Sequence, residues 1–350
     1  PCPPPGTRSL PRMEDIQRDG GPLEPIPAPA PKVCLSGPGS YRRHKLQFFD
    51  VMTRALPQGD LTKFDDLKKA FKGIDSVWHI GALVGPYHAY EMYEKVNYEG
   101  TLNVVKACRE LKIRKLVYSS SPGTRFDGSD IEGRTEAELD FPEVYLQPYA
   151  ETKAMGERAA LAACDGDSLL VTAVAPHQVY GPRDQLFLAN FLKAGKKLRV
   201  FGKGRNKIST CYVDNYCHGL ILGEQALYPG SPALGKFYIV TDGEPVFFWD
   251  MIDHALTECG YTSIKKRFAL PTWFMMGLAY VSLALGALLG KKFRLNPFAV
   301  KMMVIHRWFN IDAARKDLGY EPLVTFEEAF AKTITWYKES WIPEHMPELG

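Results

Sequence analysis

From about residue 59 onward, apolar and polar positions alternate between two rhythms. Short runs that stay apolar read as buried strands, and apolar residues spaced three and four apart read as helices. Residues 75–82 form the first clear apolar run, which opens into Gly81-Ala82-Leu83-Val84-Gly85. Further strands are predicted over 116–121, which ends in three serines, and over 169–175, which runs into Pro176. Between them, a Thr62 cap starts a helix through residue 71 with Phe64, Leu67, Ala70 and Phe71 on one face. A second helix carries Val96-Asn97-Tyr98-Glu99-Gly100-Thr101, and a third holds Tyr149 and Lys153 after a Gly-, Asp- and Pro-containing loop over 122–144. Gly59-Asp60-Leu61 closes a short strand ahead of the first helix. Regular strand–helix alternation predicts an α/β chain with a parallel sheet.

The chain start breaks this rhythm. Residues 1–31 are rich in Pro and Gly with few large apolar residues, the composition of a disordered tail. Two apolar runs follow, one at Val33-Cys34-Leu35 and one at 46–51, which contains Asp50. Only residues 38–45 separate them. Eight extended residues reach at most about 26–29 Å, enough to return along a short strand with nothing left for a crossover helix. The glycines at 37 and 39 form neither G-x-x-G-x-x-G nor G-x-G-x-x-G. The expectation is an incomplete first βα unit that lacks the usual phosphate site on a helix N-terminus.

One later stretch stands apart. Residues 268–290 contain no charge, and Lys265, Lys266, Arg267, Lys291 and Lys292 flank them. The length suffices to cross a bilayer. A spanning helix would strand the closing elements near 309–322 and 326–330 across the membrane, so a helix lying in the interface with its cations at the headgroups is favoured. Pro271 suits the first turn. The competing expectation is a buried helix of a globular body.

Composition narrows the picture. The chain has 350 residues, 45% hydrophobic and 24% charged, which suits one or two globular units. A formal charge of +3 is too small to indicate nucleic acid. Seven scattered cysteines without C-x-x-C argue against a disulfide scaffold and for a reducing compartment. The eight histidines show no metal-ligand spacing, so no metal site is expected. No apolar N-terminal run suggests a signal peptide.

Chemistry concentrates in Tyr149-Ala150-Glu151-Thr152-Lys153 and in Ser119-Ser120-Ser121. Residues four apart share a helix face. An ammonium beside a phenol favours phenolate, which would make Tyr149 usable as a general acid or base at neutral pH. A serine hydroxyl at a strand's carboxyl end, where ligands of open α/β sheets sit, could bind the oxygen whose proton moves. Alone, the same pattern also describes an ordinary amphipathic helix. His79 and His177 near strand ends read either as pocket residues or as satisfied neighbours.

Taken in order, these residues resemble the extended short-chain dehydrogenase/reductase family, in its 3β-hydroxysteroid and sterol-4α-carboxylate 3-dehydrogenase branch, from about Leu46 to Trp341. The likeness rests on Gly59-Asp60-Leu61, His79-Ile80-Gly81-Ala82, Val96-Asn97 with Gly100-Thr101, Tyr118-Ser119-Ser120-Ser121 and Tyr149 with Lys153. Pro176, Val179-Tyr180-Gly181-Pro182, Tyr212-Val213-Asp214-Asn215 and Phe309-Asn310-Ile311-Asp312 continue it, as do Asp317-Leu318-Gly319-Tyr320-Glu321-Pro322. The resemblance implies a Rossmann-like doubly wound parallel sheet with a smaller C-terminal substrate domain. Residues 1–31 would be the tail, 32–180 the NAD(P)-binding domain, and 181–345 the substrate domain, which includes the membrane-associating helix 268–290. It further implies Tyr149 as acid/base, Lys153 lowering the phenol's pKa and holding the nicotinamide ribose, and Ser121 orienting the substrate oxygen. Asp60 and Leu61 would flank the adenine, Gly81 and Ala82 would back the cofactor, and Pro176 would sit near the nicotinamide amide. Asn97 would support the active-site helix. An acid at Asp50 would take the ribose hydroxyls and favour NAD, with NADP the alternative. Ala175 stands where an Arg often precedes the Pro.

Sugar-nucleotide epimerases share most of this pattern, but Ile208 occupies the place of their diphosphate-binding Arg. Gly204, Asn206 and Asn215 look instead like the sterol branch. Arg205 and Lys207 read as phosphate contacts or as a solvated basic loop. The expected activity is NAD(P)-dependent oxidation of a steroid or sterol 3β-hydroxyl. Partners are a sterol, a membrane surface and a second copy of the chain as a homodimer, with no nucleic acid. The place is the cytosolic face of the endoplasmic reticulum or another intracellular membrane, otherwise the cytoplasm. The alternatives are a sugar-nucleotide or flavonoid-type reductase or epimerase, a binding protein that has lost turnover, and a truncated or misassembled chain start.

Overall fold

A computed structural model describes residues 59–346 apart from 86, 87 and 292. The tail 1–31, both N-terminal apolar runs, Asp50 and the expected incomplete first unit lie outside these residues. In chain order the strands are β1 (Ser76–His79), β2 (Lys115–Ser119), β3 (Ile131–Arg134), β4 (Leu170–Pro176) and β5 (Val179–Tyr180). They continue with β6 (Lys207–Ile208), β7 (Cys211–Tyr212), β8 (Phe237–Val240), β9 (Val246–Phe247) and β10 (Arg307–Phe309). The helices are α1 (Phe64–Ala70), α2 (Tyr90–Tyr93), α3 (Gly100–Glu110), α4 (Pro148–Ala162), α5 (Leu188–Ala194) and α6 (Val213–Gln225). Then come α7 (Phe248–Glu258), α8 (Thr272–Leu289), α9 (Pro297–Met302), α10 (Asp312–Leu318), α11 (Phe326–Trp336) and α12 (Ile342–His345). A π-helical segment, Glu94–Glu99, joins α2 to α3 without a break.

The main sheet has the order β1-β2-β4-β8, with every pair parallel. Its register puts His79 beside Tyr118 and Tyr118 beside Ala173, so the carboxyl ends of β1, β2 and β4 finish along one edge. Two glycines show that helices cover both faces. A Cβ on Gly156 of α4 would lie 2.8 Å from the Tyr118 hydroxyl. One on Gly223 of α6 would lie 2.9 Å from Val174 and 3.6 Å from Val117. Neighbouring strand residues point to opposite faces, so α4 and α6 sandwich the sheet, and the missing side chains let them close on it. The strands are accordingly buried almost throughout.

This sheet organises one apolar core. A second core is built from α5, α7 and α11 around Trp249, Tyr180, Tyr337 and Trp341. Beside them, β3-β10-β6-β9 form a sheet of two- to four-residue strands, and β5 pairs with β7. The apolar rhythm does not predict β3, β6, β9 or β10, because strands this short carry no period. Two local expectations are corrected. Helix α1 starts after Lys63, not at a Thr62 cap: the Thr62 amide and hydroxyl both donate to Asp60 Oδ1, at 2.9 Å. Pro271 is the residue before α8 and does not lie in its first turn.

Helix α8 contradicts the buried-helix alternative. Trp273 is 76% and Leu288 80% exposed, and Tyr280, Val281, Leu283 and Leu289 are exposed as well. Only Met275, Ala279 and Gly286 are buried. By length and composition α8 could cross a membrane. After it, however, β10 returns to pair with β3 and β6, and Ala329, Phe330 and Ile334 enter the second core.

Candidate active site

Tyr149 and Lys153 stand one turn apart on α4, whose first position is Pro148, where a missing N–H costs nothing. Lys153 is 3% exposed. Its Nζ donates to the main-chain oxygen of Ser119 at 2.6 Å and lies 4.2 Å from the centroid of the Tyr118 ring. Burial pushes the ammonium down to about 7, opposed by the negative charge of Glu157. Tyr149 keeps some exposure, packs edge-on to Tyr93 at 6.4 Å between centroids, and has its phenol raised to about 12 by burial and then by Tyr93. This reverses the expected depression of the phenol. Removal from water disfavours the phenolate, and Tyr93 adds to the effect, while the Lys153 ammonium is turned toward Ser119 and the Tyr118 face.

The three serines divide their work. Ser119 Oγ accepts from the Tyr216 hydroxyl at 2.5 Å, and Ser120 Oγ donates to the carboxylate of Glu157. Ser121 caps the 3-10 turn Pro122–Arg125 by accepting from the Gly123 amide at 3.1 Å. It remains half-buried at the same sheet edge as Lys153.

The π-helical segment joins this face to the end of β1. Asn97 Oδ1 accepts from the Leu83 amide at 2.8 Å, and its Nδ2 donates to Leu83 O and to Thr152 Oγ1, both at 3.2 Å. One side chain therefore fixes the loop after Gly81-Ala82 and the helix turn between Tyr149 and Lys153. Such π-bulges are common at functional sites.

Sequence reasoning missed Glu157 and Arg125. Glu157 lies four residues past Lys153 on the same stripe and is fully buried. Arg125 meets it through Nη1–Oε2 at 3.0 Å and Nη2–Oε1 at 2.5 Å, and Thr124 Oγ1 lies 3.2 Å from Oε2. The guanidinium also lies 3.5 Å from the centroid of Phe237. The 3-10 turn that Ser121 caps is thus bolted to α4. The stripe Tyr149, Lys153, Glu157 was visible in the sequence; the partner from the serine loop was not.

The remaining expected residues lie as follows. Gly81 and Ala82 follow β1 half-buried, and Pro176 ends β4 half-buried, all at the edge that holds Lys153. Asp60 is occupied by Thr62, while Leu61 is buried in the core and can offer a ligand only its main chain. His79 and His177 are satisfied neighbours. His79 Nε2 is 2.9 Å from Thr101 Oγ1. His177 Nε2 accepts from Arg307 at 3.3 Å, which leaves Nδ1–H to donate to Ser209 O at 2.6 Å. Burial holds both at about 3, Lys153 adding to the effect at His79 and Arg307 at His177. Among the described residues no cluster of metal-ligating side chains occurs.

The sheet edge fits a dinucleotide on the nicotinamide side. Three parallel strands end in register there, the loop after β1 carries only small residues at 81 and 82, and a buried lysine is fixed beside the serines. Comparison with known proteins agrees. Residues 41–272 match the model of the 3-beta hydroxysteroid dehydrogenase/isomerase family. The chain is 33% identical over 288 residues to the sterol-4-alpha-carboxylate 3-dehydrogenase, decarboxylating, of Homo sapiens, covering 80% of this chain and 76% of that one. It is 31% identical over 296 residues to the 2-alkyl-3-oxoalkanoate reductase of Stenotrophomonas maltophilia, covering 84% and 89%. The fold is that of a dTDP-glucose 4,6-dehydratase from Streptomyces venezuelae solved with NAD (TM-score 0.62, 18% identity, 83% and 81% covered).

Proposed function

The chain belongs to the 3-beta hydroxysteroid dehydrogenase/isomerase family, and from that premise we propose that it is an NAD(P)-dependent oxidoreductase that oxidises the 3β-hydroxyl of a steroid or sterol, with Tyr149, Lys153 and Ser121 at the reacting carbon. The observation that carries the reading is Lys153 anchored to Ser119, which sets the Tyr149 face of α4 against the serine end of β2. Lys153, Gly81, Ala82 and Pro176 would hold the nicotinamide half of the cofactor, and NAD is the dinucleotide bound by the structural relative. When bound, the cofactor would supply the hydride acceptor for carbon 3.

The chain's own residues handle the proton. Tyr149 accepts it from the 3β-hydroxyl in oxidation and returns it in reduction. A phenol held at about 12 is a ready donor at neutral pH and a base only once ionised, so oxidation is favoured as pH rises. Ser121 binds the same oxygen; its lone pairs and proton let it serve an alcohol or a carbonyl. Asn97 and the Arg125–Glu157 pair hold the parts in place.

Two relatives refine the substrate. Sterol-4-alpha-carboxylate and 2-alkyl-3-oxoalkanoate both name a reacting carbon whose neighbour bears a carboxyl group. The substrates to compare are therefore a 3β-hydroxysterol, its 4-carboxy derivative and a 2-alkyl-3-hydroxy acid. Helix α8 supports a membrane setting, in the plane of the cytosolic leaflet of the endoplasmic reticulum or another intracellular membrane. Its exposed apolar faces suit lipid, and the return of β10 to the body suits a helix that does not cross.

The test combines binding and turnover. NADH or NADPH fluorescence should change on titration with the protein, and NAD should be reduced when a 3β-hydroxysterol is added. Tyr149→Phe should lower turnover by about 100-fold or more with cofactor binding intact. Absence of binding by either dinucleotide, or full turnover in the Phe variant, would overturn the reading.

A further inference from the structure

A cavity of about 500 Å³ lies where the lead-in to α8 meets the turn between residues 200 and 205. Four cations line it: Lys203, Arg205, Lys265 and Arg267. One carboxylate, Asp250, pairs with Lys265 at 2.9 Å. The Arg267 guanidinium is fixed by main-chain oxygens, Lys196 O at 2.7 Å and Gly195 O at 3.3 Å, which orient its charge without cancelling it. Among the described residues no carboxylate pairs with Lys203, Arg205 or Arg267. Trp249 contributes part of the floor.

The cavity is joined to the exposed helix by main-chain bonds. The Gly202 amide donates to Leu270 O at 2.9 Å, and the Leu270 amide donates to Val200 O at 2.8 Å. Gly202 and Gly204 both have φ of 65°, the left-handed conformation that lets this turn fold back. A Cβ on Gly202 would stand 2.7 Å from Thr272 Oγ1, so the basic turn rests on the first residue of α8. The main chain that carries Lys203 and Arg205 is therefore tied to the start of α8, next to Trp273 and the apolar face that follows.

We infer that this cavity binds the phosphate-bearing headgroup of an anionic phospholipid, one that stays in the bilayer, and so fixes how α8 lies in the interface. The inference rests on the reading of α8 as a membrane-lying helix. A helix in that position buries its apolar face about 5–10 Å deep, which leaves residues at its entry at the level of the phosphates. Cations there gain about 1 kcal/mol each from an anionic leaflet. The volume lies in the range of small-ligand sites, roughly 300–1,000 Å³. An unpaired lysine, an unpaired exposed arginine and a fixed guanidinium offer donors matched to phosphate oxygens.

Flotation of the full chain with two vesicle types tests this: phosphatidylcholine alone, and phosphatidylcholine containing phosphatidylserine. The wild-type chain should bind both and prefer the anionic vesicles. Lys203→Ser with Arg205→Ser should keep neutral binding and lose about 30-fold of the anionic affinity, near 5-fold per cation. Lys68→Ser with Lys106→Ser removes the same charge on another surface and should keep the preference. Both pairs are exposed, so circular dichroism should be unchanged. Equal anionic binding by the wild-type and Lys203/Arg205 variants overturns the headgroup site and leaves the membrane helix standing. Equal losses in the two double variants also overturn it, since net charge then explains the preference. Inorganic phosphate that binds the wild type and erases the preference at millimolar level assigns the cavity to a free anion and overturns the lipid. Binding to neither vesicle type removes the membrane reading and this inference with it.

Discussion

Lys153 donates from Nζ to the main-chain oxygen of Ser119 at 2.6 Å, across 34 residues of sequence. That bond ties the middle of α4, which carries Tyr149, to the carboxyl end of β2, where the three serines begin. It also turns the ammonium's donors toward a carbonyl and the Tyr118 face, while burial and Tyr93 keep the Tyr149 phenol raised. The cost of that burial appears in the lysine itself.

With its pKa lowered to about 7, Lys153 should titrate near neutrality in the cofactor-free protein. Carbon-13 NMR of lysine Cε should show a resonance moving between pH 6 and 8, and Lys153→Met should remove it. The sign for stability follows. Between about 7 and the unfolded value the unfolded chain binds the extra proton, so stability contributed at this site rises with pH across that window. The absence of any lysine resonance that moves between pH 6 and 8 and vanishes in Lys153→Met would refute the burial argument.

Gly156 lets α4 approach the π-helical segment. A Cβ there would stand 2.4 Å from Asn97 O and 2.8 Å from the Tyr118 hydroxyl, both in rigid surroundings. Gly156→Ala should therefore cost about 1–3 kcal/mol, as overpacking does, and should lower turnover by shifting Tyr149. Gly277 in α8 has nothing within 4 Å of the same added atom. Gly277→Ala should be neutral or stabilising by up to about 1 kcal/mol through helix propensity. Thermal melts of the two variants check this, and equal melting temperatures would refute it.

The parts legible in the sequence are those with a period or a motif. Buried runs at 75–82, 116–121 and 169–175 became β1, β2 and β4 because consecutive apolar residues suit a strand covered on both faces. Tyr149 and Lys153 were placed together by helix geometry alone. What stayed hidden depends on long-range closure. Nothing local marks β10 as the partner of β3, and Arg125 looks like one loop cation among many until Glu157 is seen buried beneath it. The π-helical segment is equally silent, since the residues from Glu94 to Glu99 would suit an ordinary helix. The raised phenol of Tyr149 was hidden because spacing shows a phenol one turn from an ammonium, while burial and the Tyr93 ring, the causes that win, come from the folded surroundings.

Glu157 and Arg125 form a bidentate pair that is nearly all removed from water. Breaking such a pair on one side strands a buried charge and costs about 3–5 kcal/mol. Glu157→Gln should destabilise by that order and, by loosening the turn that Ser121 caps, lower kcat more than it raises KM. Glu157→Gln with Arg125→Met removes both charges and should recover much of the stability while activity stays low. Urea unfolding and steady-state kinetics on the three variants give the coupling. Additive losses in stability would show that the two side chains act independently.

The two buried histidines set the response to acid. His79 and His177 are held at about 3, against about 6.5 in an unfolded chain. Below 6.5 the unfolded state takes up protons that the folded state refuses, so stability falls as pH drops, by at most about 1.4 kcal/mol per pH unit for each histidine. Neither ring can accept a proton in place: His177 already donates from Nδ1 and receives Arg307 at Nε2, and Lys153 lies near His79. Protonating His177 would set a new cation against a guanidinium that is itself buried. His177→Asn should flatten the acid limb of the stability curve between pH 6 and 4 even if it lowers stability at pH 7, because the residue it removes is the one that titrates. His79→Gln should do the same, and the two effects should add, since the histidines belong to different networks. Urea midpoints at four pH values for each variant check the slopes, and parallel curves for wild type and variants would place the acid sensitivity elsewhere in the chain.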